Sequence, residues 1–305
     1  MILHPNAKLA RFGARISGLC LLVIVLSCSK GEQTENNSRR ATVQVKGSDT
    51  MVNVAQAWAE EFTAVAPDIA VEVSGGGSGV GIAALQRGAI DIANASRNIK
   101  PGEADAVLKN TGKEPVEFIV GFDALAVYVN KANPLEEITL EQLSDIYSEH
   151  GKATRWSDIG ITIPGARTDR IALISRQSSS GTYEFFREHV LGNKDFKLGT
   201  RDMNGSKEVV ELVGAIKTAI GYSGMGYATQ NVKMLRIRTN DGSFDPTVKN
   251  TQTKAYPLAR SLQLYTAGEP TGPVKKYIDW IMSPHGQKLL KENGYVPVTL
   301  SATAD

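Results

Sequence analysis

Four times between residues 47 and 182 the chain repeats one grammar: an apolar strand ends, a cluster of Gly, Ser and Thr follows, and a helix or turn begins. Val43-Gln44-Val45 alternates as a strand should, and Gly47-Ser48-Asp49-Thr50 breaks it and offers helix caps. Val52, Ala55, Trp58, Ala59, Phe62 and Val65 recur at helical spacing until Pro67 stops the run. Ile69 to Val73 predicts the next strand, Gly75-Gly76-Gly77-Ser78-Gly79 a turn into a short helix ending at Leu85, and Ile90 to Ala93 a third strand before Ala95-Ser96-Arg97. Ile171 to Ile174 and the segment Arg176 to Thr182 repeat the pattern ahead of a helix with Tyr183, Phe186 and Val190 on one face. This order predicts an α/β fold whose strands are mostly parallel.

Strand-to-helix loops gather at the carboxyl edge of such a sheet, where ligands of open α/β folds bind. Helix N-termini there expose unpaired N–H groups and the positive end of the helix dipole. Glycine admits the ligand close to the backbone, and Ser and Thr hydroxyls add short donors. The candidates are Ser48, Asp49 and Thr50 of the first loop, Ser78 of the glycine loop, Arg97, Arg176, and Ser180, Gly181 and Thr182 at the fourth. Arginine forks suit an oxyanion. The set is rich in donors, with Asp49 almost its only acceptor, and that chemistry fits a small tetrahedral anion. Taken singly, each segment also reads as an ordinary helix cap.

Val116 to Val129 is a long, largely apolar stretch carrying Asp123, and reads as two strands or as one that crosses between lobes. Thr139-Leu140-Glu141-Gln142 is a capping box, Ser206 caps a helix running to Ile216, and Ile220 to Tyr227 is a strand interrupted by glycines. A second crossing strand is expected near Leu262 to Tyr265, then helices at Val274 to Met282 and Pro284 to Glu292. Trp58, Trp156 and Trp280 read as packing residues, and His189 as a helix-end histidine. Gly79-Val80-Gly81-Ile82-Ala83-Ala84 fits a loose dinucleotide fingerprint, but Arg97 and Asn98 stand where its acidic partner belongs. No nucleotide-binding P-loop occurs. Val80 and Met225 spoil the serine-hydrolase elbow at Ser78 and Ser223. Four scattered histidines and two cysteines offer no metal site, and a formal charge of +2 makes no case for nucleic acid. No cofactor is expected.

Lys8, Arg11 and Arg15 precede the apolar run Ile16 to Leu26, which suits a signal peptide better than a permanent span. Val25-Leu26-Ser27-Cys28 resembles a bacterial lipoprotein box, with Cys28 as the lipidated residue. Cleavage before Cys28 removes residues 1–27 with three basic residues and no acid, so the slight basicity belongs to the leader. Residues 28–41 are polar, without apolar periodicity, and read as a flexible tether.

The segments Gly47 to Met51, Gly75 to Gly79, Asp91 to Arg97, Arg176 with Ser180-Gly181-Thr182, Ile220-Gly221-Tyr222, Tyr277 to Ile281 and Gly286-Gln287 resemble, in order and spacing, the phosphate-binding proteins of bacterial ABC phosphate importers. The resemblance implies a periplasmic-binding-protein fold of type II. It has two lobes, each a mostly parallel sheet flanked by helices, joined by two crossing strands and closing on phosphate. The lobes are expected at residues 42–125 plus 260–305 and at 126–259. The implied protein is an exported, lipid-anchored monomer outside the cytoplasmic membrane. It performs no catalysis and hands inorganic phosphate to the importer's permease. The family's ligand contacts fall on Asp49, Thr50, Ser78, Arg176, Ser180, Gly181 and Thr182. This sequence departs from the family pattern in having Arg97 where an Asp usually accepts the proton of hydrogen phosphate, Asp49 where a small residue is usual, and Ser178 where an acidic partner of the arginine is usual. A charge swap follows as an expectation, with Asp49 the acceptor and Arg97 a second cationic donor. Sulfate or arsenate as ligand, a phosphate-sensing role, and a phosphatase-like enzyme are the alternatives.

Overall fold

A computed structural model describes residues 40–298. The expected signal peptide, Cys28 and the tether up to residue 39 lie outside the described residues. Among the described residues no helix is long and apolar enough to cross a membrane.

The first lobe begins with β1 (Ala41–Gly47), α1 (Val52–Val65), β2 (Ile69–Ser74), α2 (Ser78–Gln86), β3 (Ile92–Ala95) and α3 (Pro101–Thr111). The chain then crosses on β4 (Pro115–Asn130), a single strand through the whole apolar stretch. The second lobe holds β5 (Glu137–Thr139), α4 (Leu140–Tyr147), β6 (Ala172–Arg176), α5 (Gly181–His189), β7 (Arg201–Met203), α6 (Ser206–Ala215) and β8 (Ala219–Gly224). It ends with β9 (Val232–Met234), β10 (Arg236–Thr239), β11 (Gly242–Phe244) and α7 (Val248–Gln252). The chain returns on β12 (Ala259–Ala267) and closes with α8 (Gly272–Ile281), α9 (Pro284–Glu292) and β13 (Val296–Pro297).

The main sheet runs β2-β1-β3-β12-β4-β8-β6-β7. The βα units pair in parallel: β1 with β2 and β3, and β6 with β7 and β8. The crossing strands pair antiparallel, from Ala259 opposite Ala124 to Ala267 opposite Pro115, with a register shift between Leu262 and Gln263. They must run oppositely, because one leaves the first lobe and the other returns to it. The inner half of β4 continues against β8, so this strand belongs to both lobes.

Each lobe has its own core. In the first, α1 buries Val54, Ala55, Trp58, Ala59 and Phe62 along one stripe, and Trp58 donates its indole N–H to Gly286 O at 2.8 Å. Val43, Ile92, Leu262, Tyr277 and Leu290 complete that cluster. In the second, Leu125, Val127, Tyr147, Trp156, Phe186, Ile220 and Tyr222 pack together, with Phe186 stacked on Tyr222 at 3.9 Å between ring centres. Burying each large apolar side chain contributes about 1.5–3 kcal/mol. One helix was not anticipated and one cap differs. Helix α3 is present although its apolar pattern is weak; Pro101 at its first turn and Glu103 capping it start it instead. Ser206 is the first helical residue of α6, with Gly205 at the cap.

Candidate ligand-binding site

The loops that follow β1, β2 and β3 meet the β6–α5 loop across the gap between lobes. Gly47 has φ +146°, and a Cβ there would lie 2.1 Å from Asn94 O, so only glycine lets β1 turn this close to β3. The turn delivers Ser48, Asp49 and Thr50. From behind, Tyr227 of the second lobe donates its hydroxyl to Asp49 O at 2.8 Å and to Thr50 O at 3.2 Å, and Tyr295 of the first donates to Thr50 O. Burial raises the pKa of both tyrosines, so both remain neutral donors.

Three hydroxyls from three loops converge. Ser48 Oγ donates to Ser96 Oγ at 3.0 Å, Ser78 Oγ lies 3.4 Å from Ser96 Oγ, and Ser96 N donates to Ser78 Oγ at 3.1 Å. All three serines are buried. Thr50 Oγ1 lies 2.8 Å from Thr182 Oγ1, joining the lobes through a second hydroxyl pair. Ser180 caps α5, its Oγ accepting from Thr182 N at 3.1 Å and Tyr183 N at 3.4 Å. At the first helical position the Gly181 N–H has no intrahelical partner. A Cβ on Gly181 would lie 2.3 Å from Ser78 Oγ and 2.8 Å from Ser96 Oγ, which places this helix end against the serine cluster.

Arg176, at the end of β6, is 0 % exposed. Its Nη1 donates to Ser206 Oγ at 2.9 Å, and its Nη2 to Asn204 O at 3.0 Å and Asp49 Oδ2 at 2.8 Å. Its Nε is buried without a hydrogen-bond partner. Burial pulls the guanidinium pKa down and Asp49 pushes it back, and an arginine remains a cation throughout. The other oxygen of Asp49 accepts from Gly76 N at 2.7 Å. Asp49 therefore stands as the carboxylate partner of Arg176, the task that Ser178 cannot perform.

Arg97 is placed differently. Its two terminal nitrogens lie 2.8 and 2.7 Å from the oxygens of Glu103, and Nη1 also donates to Asn98 O at 2.8 Å. Its guanidinium is thus engaged at the rim, with Nη2 3.8 Å from the position of a Cβ on Gly79.

A second buried ion pair was not anticipated. Arg260 of β12 donates Nε and Nη2 to Asp123 Oδ2 at 3.0 and 2.8 Å, Nη1 to Ser96 O at 3.3 Å, and Nη2 to Thr50 Oγ1 at 3.2 Å. It also lies 5.6 Å over the Phe185 ring. Burial raises the pKa of Asp123, opposed by Arg260 and by Met225 N, which donates to its other oxygen at 3.1 Å. The available signal was Asp123, one of two carboxylates in the run Val116 to Val129, and Arg260, two residues before the strand expected near Leu262 to Tyr265.

The lobes are in direct contact here. Gly79 N donates to Ser179 O at 2.9 Å, Ser179 Oγ to Gly76 O at 3.0 Å, and Lys100 Nζ to Glu184 Oε1 at 2.6 Å. Each cation beside the hydroxyls carries its own carboxylate, so the cradle is close to neutral and its character comes from oriented donors. Among the described residues no group of three or more His, Cys, Asp or Glu side chains could hold a metal ion.

A family profile described as "PBP superfamily domain" matches residues 32–285. The chain is 32% identical over 268 residues to the phosphate-binding protein PstS of Pseudomonas aeruginosa, covering 83% of this chain and 81% of that one. It is 29% identical over 289 residues to the phosphate-binding protein PstS of Bacillus subtilis, covering 91% of each. Among solved structures it is similar to a phosphate ABC transporter substrate-binding protein from Clostridium perfringens with bound phosphate, with a TM-score of 0.75 at 29% identity. That match covers 85% of this chain and all of that one (100%). An ABC-type phosphate transport receptor from Vibrio cholerae matches with a TM-score of 0.67 at 29% identity, covering 83% of this chain and 99% of that one.

Proposed function

Because this chain belongs to the PBP superfamily and, within it, to the family of phosphate-binding proteins, we propose that it captures inorganic phosphate between its lobes and delivers it to an ABC-type importer. The observation that carries this reading is Arg176, a fully buried guanidinium whose Nε–H has no acceptor, beside hydroxyls with more protons than partners. A tetrahedral oxyanion supplies acceptors on every side, and unpaired buried donors are costly without them. The ligand contacts are Ser48, Thr50, Ser78, Arg176, Ser180, Gly181 and Thr182. Asp49 holds Arg176 and keeps lone-pair capacity for the proton of hydrogen phosphate.

The protein acts as a carrier. Closure desolvates the anion among fixed donors, and the closed shape is what a permease recognises. The lobes hinge on residues 42–125 plus 260–305 against 126–259. Export, cleavage before Cys28 and lipidation of that thiol keep the monomer at the outer face of a membrane. Sulfate is the second reading, since both oxygens of Asp49 already accept hydrogen bonds and a site of donors favours a fully ionised anion.

Calorimetric titration of the soluble domain with phosphate and sulfate, at a pH on each side of the second phosphate ionisation, tests both. Tight binding of phosphate over sulfate is expected, and Asp49→Asn is expected to weaken phosphate more than sulfate. Preference for sulfate in the parent protein would overturn the phosphate reading. An unchanged preference in Asp49→Asn would remove Asp49 as the acceptor.

A further inference from the structure

We propose that Arg260 is a specificity-determining positioning residue, which acts through Thr50 Oγ1 to take a lone pair of the Thr50–Thr182 hydroxyl pair away from the anion, with Asp123 as its counterion. The inference rests on the reading of the cleft as an oxyanion site.

A guanidinium can only donate. Its 3.2 Å bond to Thr50 Oγ1 therefore occupies a lone pair of that hydroxyl. Thr50 and Thr182 are 2.8 Å apart, so one of them donates to the other. Whichever direction that bond takes, and with or without Arg260, one hydroxyl proton of the pair is left for the ligand; what Arg260 changes is the lone pairs, of which it takes one more. Without Arg260 the freed lone pair of Thr50 could accept the P–OH proton of a protonated anion. Arg260 thus removes an acceptor from the cradle, favours the more ionised oxyanion, and does so without touching it.

The placement is built into the hinge. Arg260 and Asp123 are direct cross-strand partners on the two crossing strands, so their pairing is set by the register of β12 on β4. Gly224 of β8 makes room for them: a Cβ there would lie 3.1 and 3.2 Å from the two Asp123 oxygens and 3.0 Å from the Thr50 methyl. The other face of Arg260 lies over Phe185 of α5, the helix whose N-terminus carries Ser180, Gly181 and Thr182. One side chain therefore contacts the hinge, the first-lobe loops and the second-lobe helix. A buried pair that merely tied β4 to β12 would need neither the Thr50 contact nor the position against α5.

The test is a double-mutant cycle between Arg260→Gln and Thr50→Val, read by titration with phosphate and sulfate at two pH values. Arg260→Lys is the conservative variant, and Arg260→Gln with Asp123→Asn is the variant that leaves no buried charge unpaired. Losing a hydrogen bond from a charged donor is expected to weaken phosphate binding by about tenfold or more. The loss in Arg260→Gln should be larger at the higher pH, where the dianion dominates, and should largely vanish in the Thr50→Val background. Arg260→Lys should recover part of it. If Arg260→Gln and the doubly neutral variant lower the melting temperature but leave affinity and its pH dependence unchanged, or if their effect adds fully to that of Thr50→Val, Arg260 is a strand tie and the inference is overturned. If the parent protein binds neither anion, the reading of the cleft falls and this inference with it.

Discussion

Gly181 shows how little space the site leaves. The first turn of α5 presses its backbone against two serine hydroxyls, and the 2.3 Å gap to Ser78 Oγ from a Cβ at this position is well inside contact distance. Gly181→Ala must push α5 back or push Ser78 out, and either move separates donors that need a common focus. Misplacement of this kind costs affinity far more than stability. The expected outcome is loss of phosphate binding by at least a hundredfold, or about 3 kcal/mol, with a melting temperature close to that of the parent. Calorimetry and thermal unfolding check the two halves separately. The residue scale also shows what a linear reading can see. Ser48, Thr50, Ser78 and Thr182 stand out because small hydroxyl residues after a strand announce a loop with a purpose. Arg260 and Asp123 do not, because each sits inside a strand, 137 positions from its partner, and only the pairing of β12 with β4 brings them together.

Among the elements, α3 joins local helix chemistry to the rim of the cleft. Glu103 accepts from Lys100 N at 2.9 Å, closing the helix start, and receives both arms of Arg97. Burial pushes its carboxyl pKa up, but the Arg97 hydrogen bond, the Lys100 N–H and the two cationic charges outweigh burial and leave it below the ordinary glutamate value. A lowered folded pKa means that this stabilisation is complete above the unfolded value and is lost as pH falls through the folded one. Glu103→Gln is therefore expected to cost about 1 kcal/mol at neutral pH, and urea unfolding curves of variant and parent should converge in acid. A gap of the same size at both pH values would mean that charge contributes nothing. The repeated βα units were legible because each strand and helix has its own apolar period, as in α1 with its buried Val54, Trp58 and Phe62. Helix α3 was harder to see because caps rather than a core stripe start it; Val107 is its one buried residue. The short strands β9 to β11 were illegible for a related reason: three or four residues are too few to display a period, and their pairing depends on neighbours distant in sequence.

Across the whole molecule, the anion and the closed arrangement stabilise each other. Asp49–Arg176, Thr50–Thr182, Gly79–Ser179 and Lys100–Glu184 all span the lobes, and the buried members of this set surround the hydroxyl cluster. A ligand that binds only the closed, folded state stabilises it by mass action. Phosphate at about a thousand times its Kd should add about 4 kcal/mol, raising the melting temperature by about 10 °C, while an anion that fails to bind should not move it. The outermost contact tests whether closure itself limits release. Lys100 is about half exposed, so its pair with Glu184 contributes at most about 1 kcal/mol. Lys100→Ala leaves every proposed ligand contact in place and removes a latch between lobes together with one of the two charges that act on Glu103. If opening precedes release, the variant should release phosphate about two- to fivefold faster at low salt, and the difference should shrink as salt screens the pair in the parent. Stopped-flow displacement at two ionic strengths measures it. Equal rates at both would place the control of release in the buried contacts, with Asp49–Arg176 and Thr50–Thr182 the bonds that must break first.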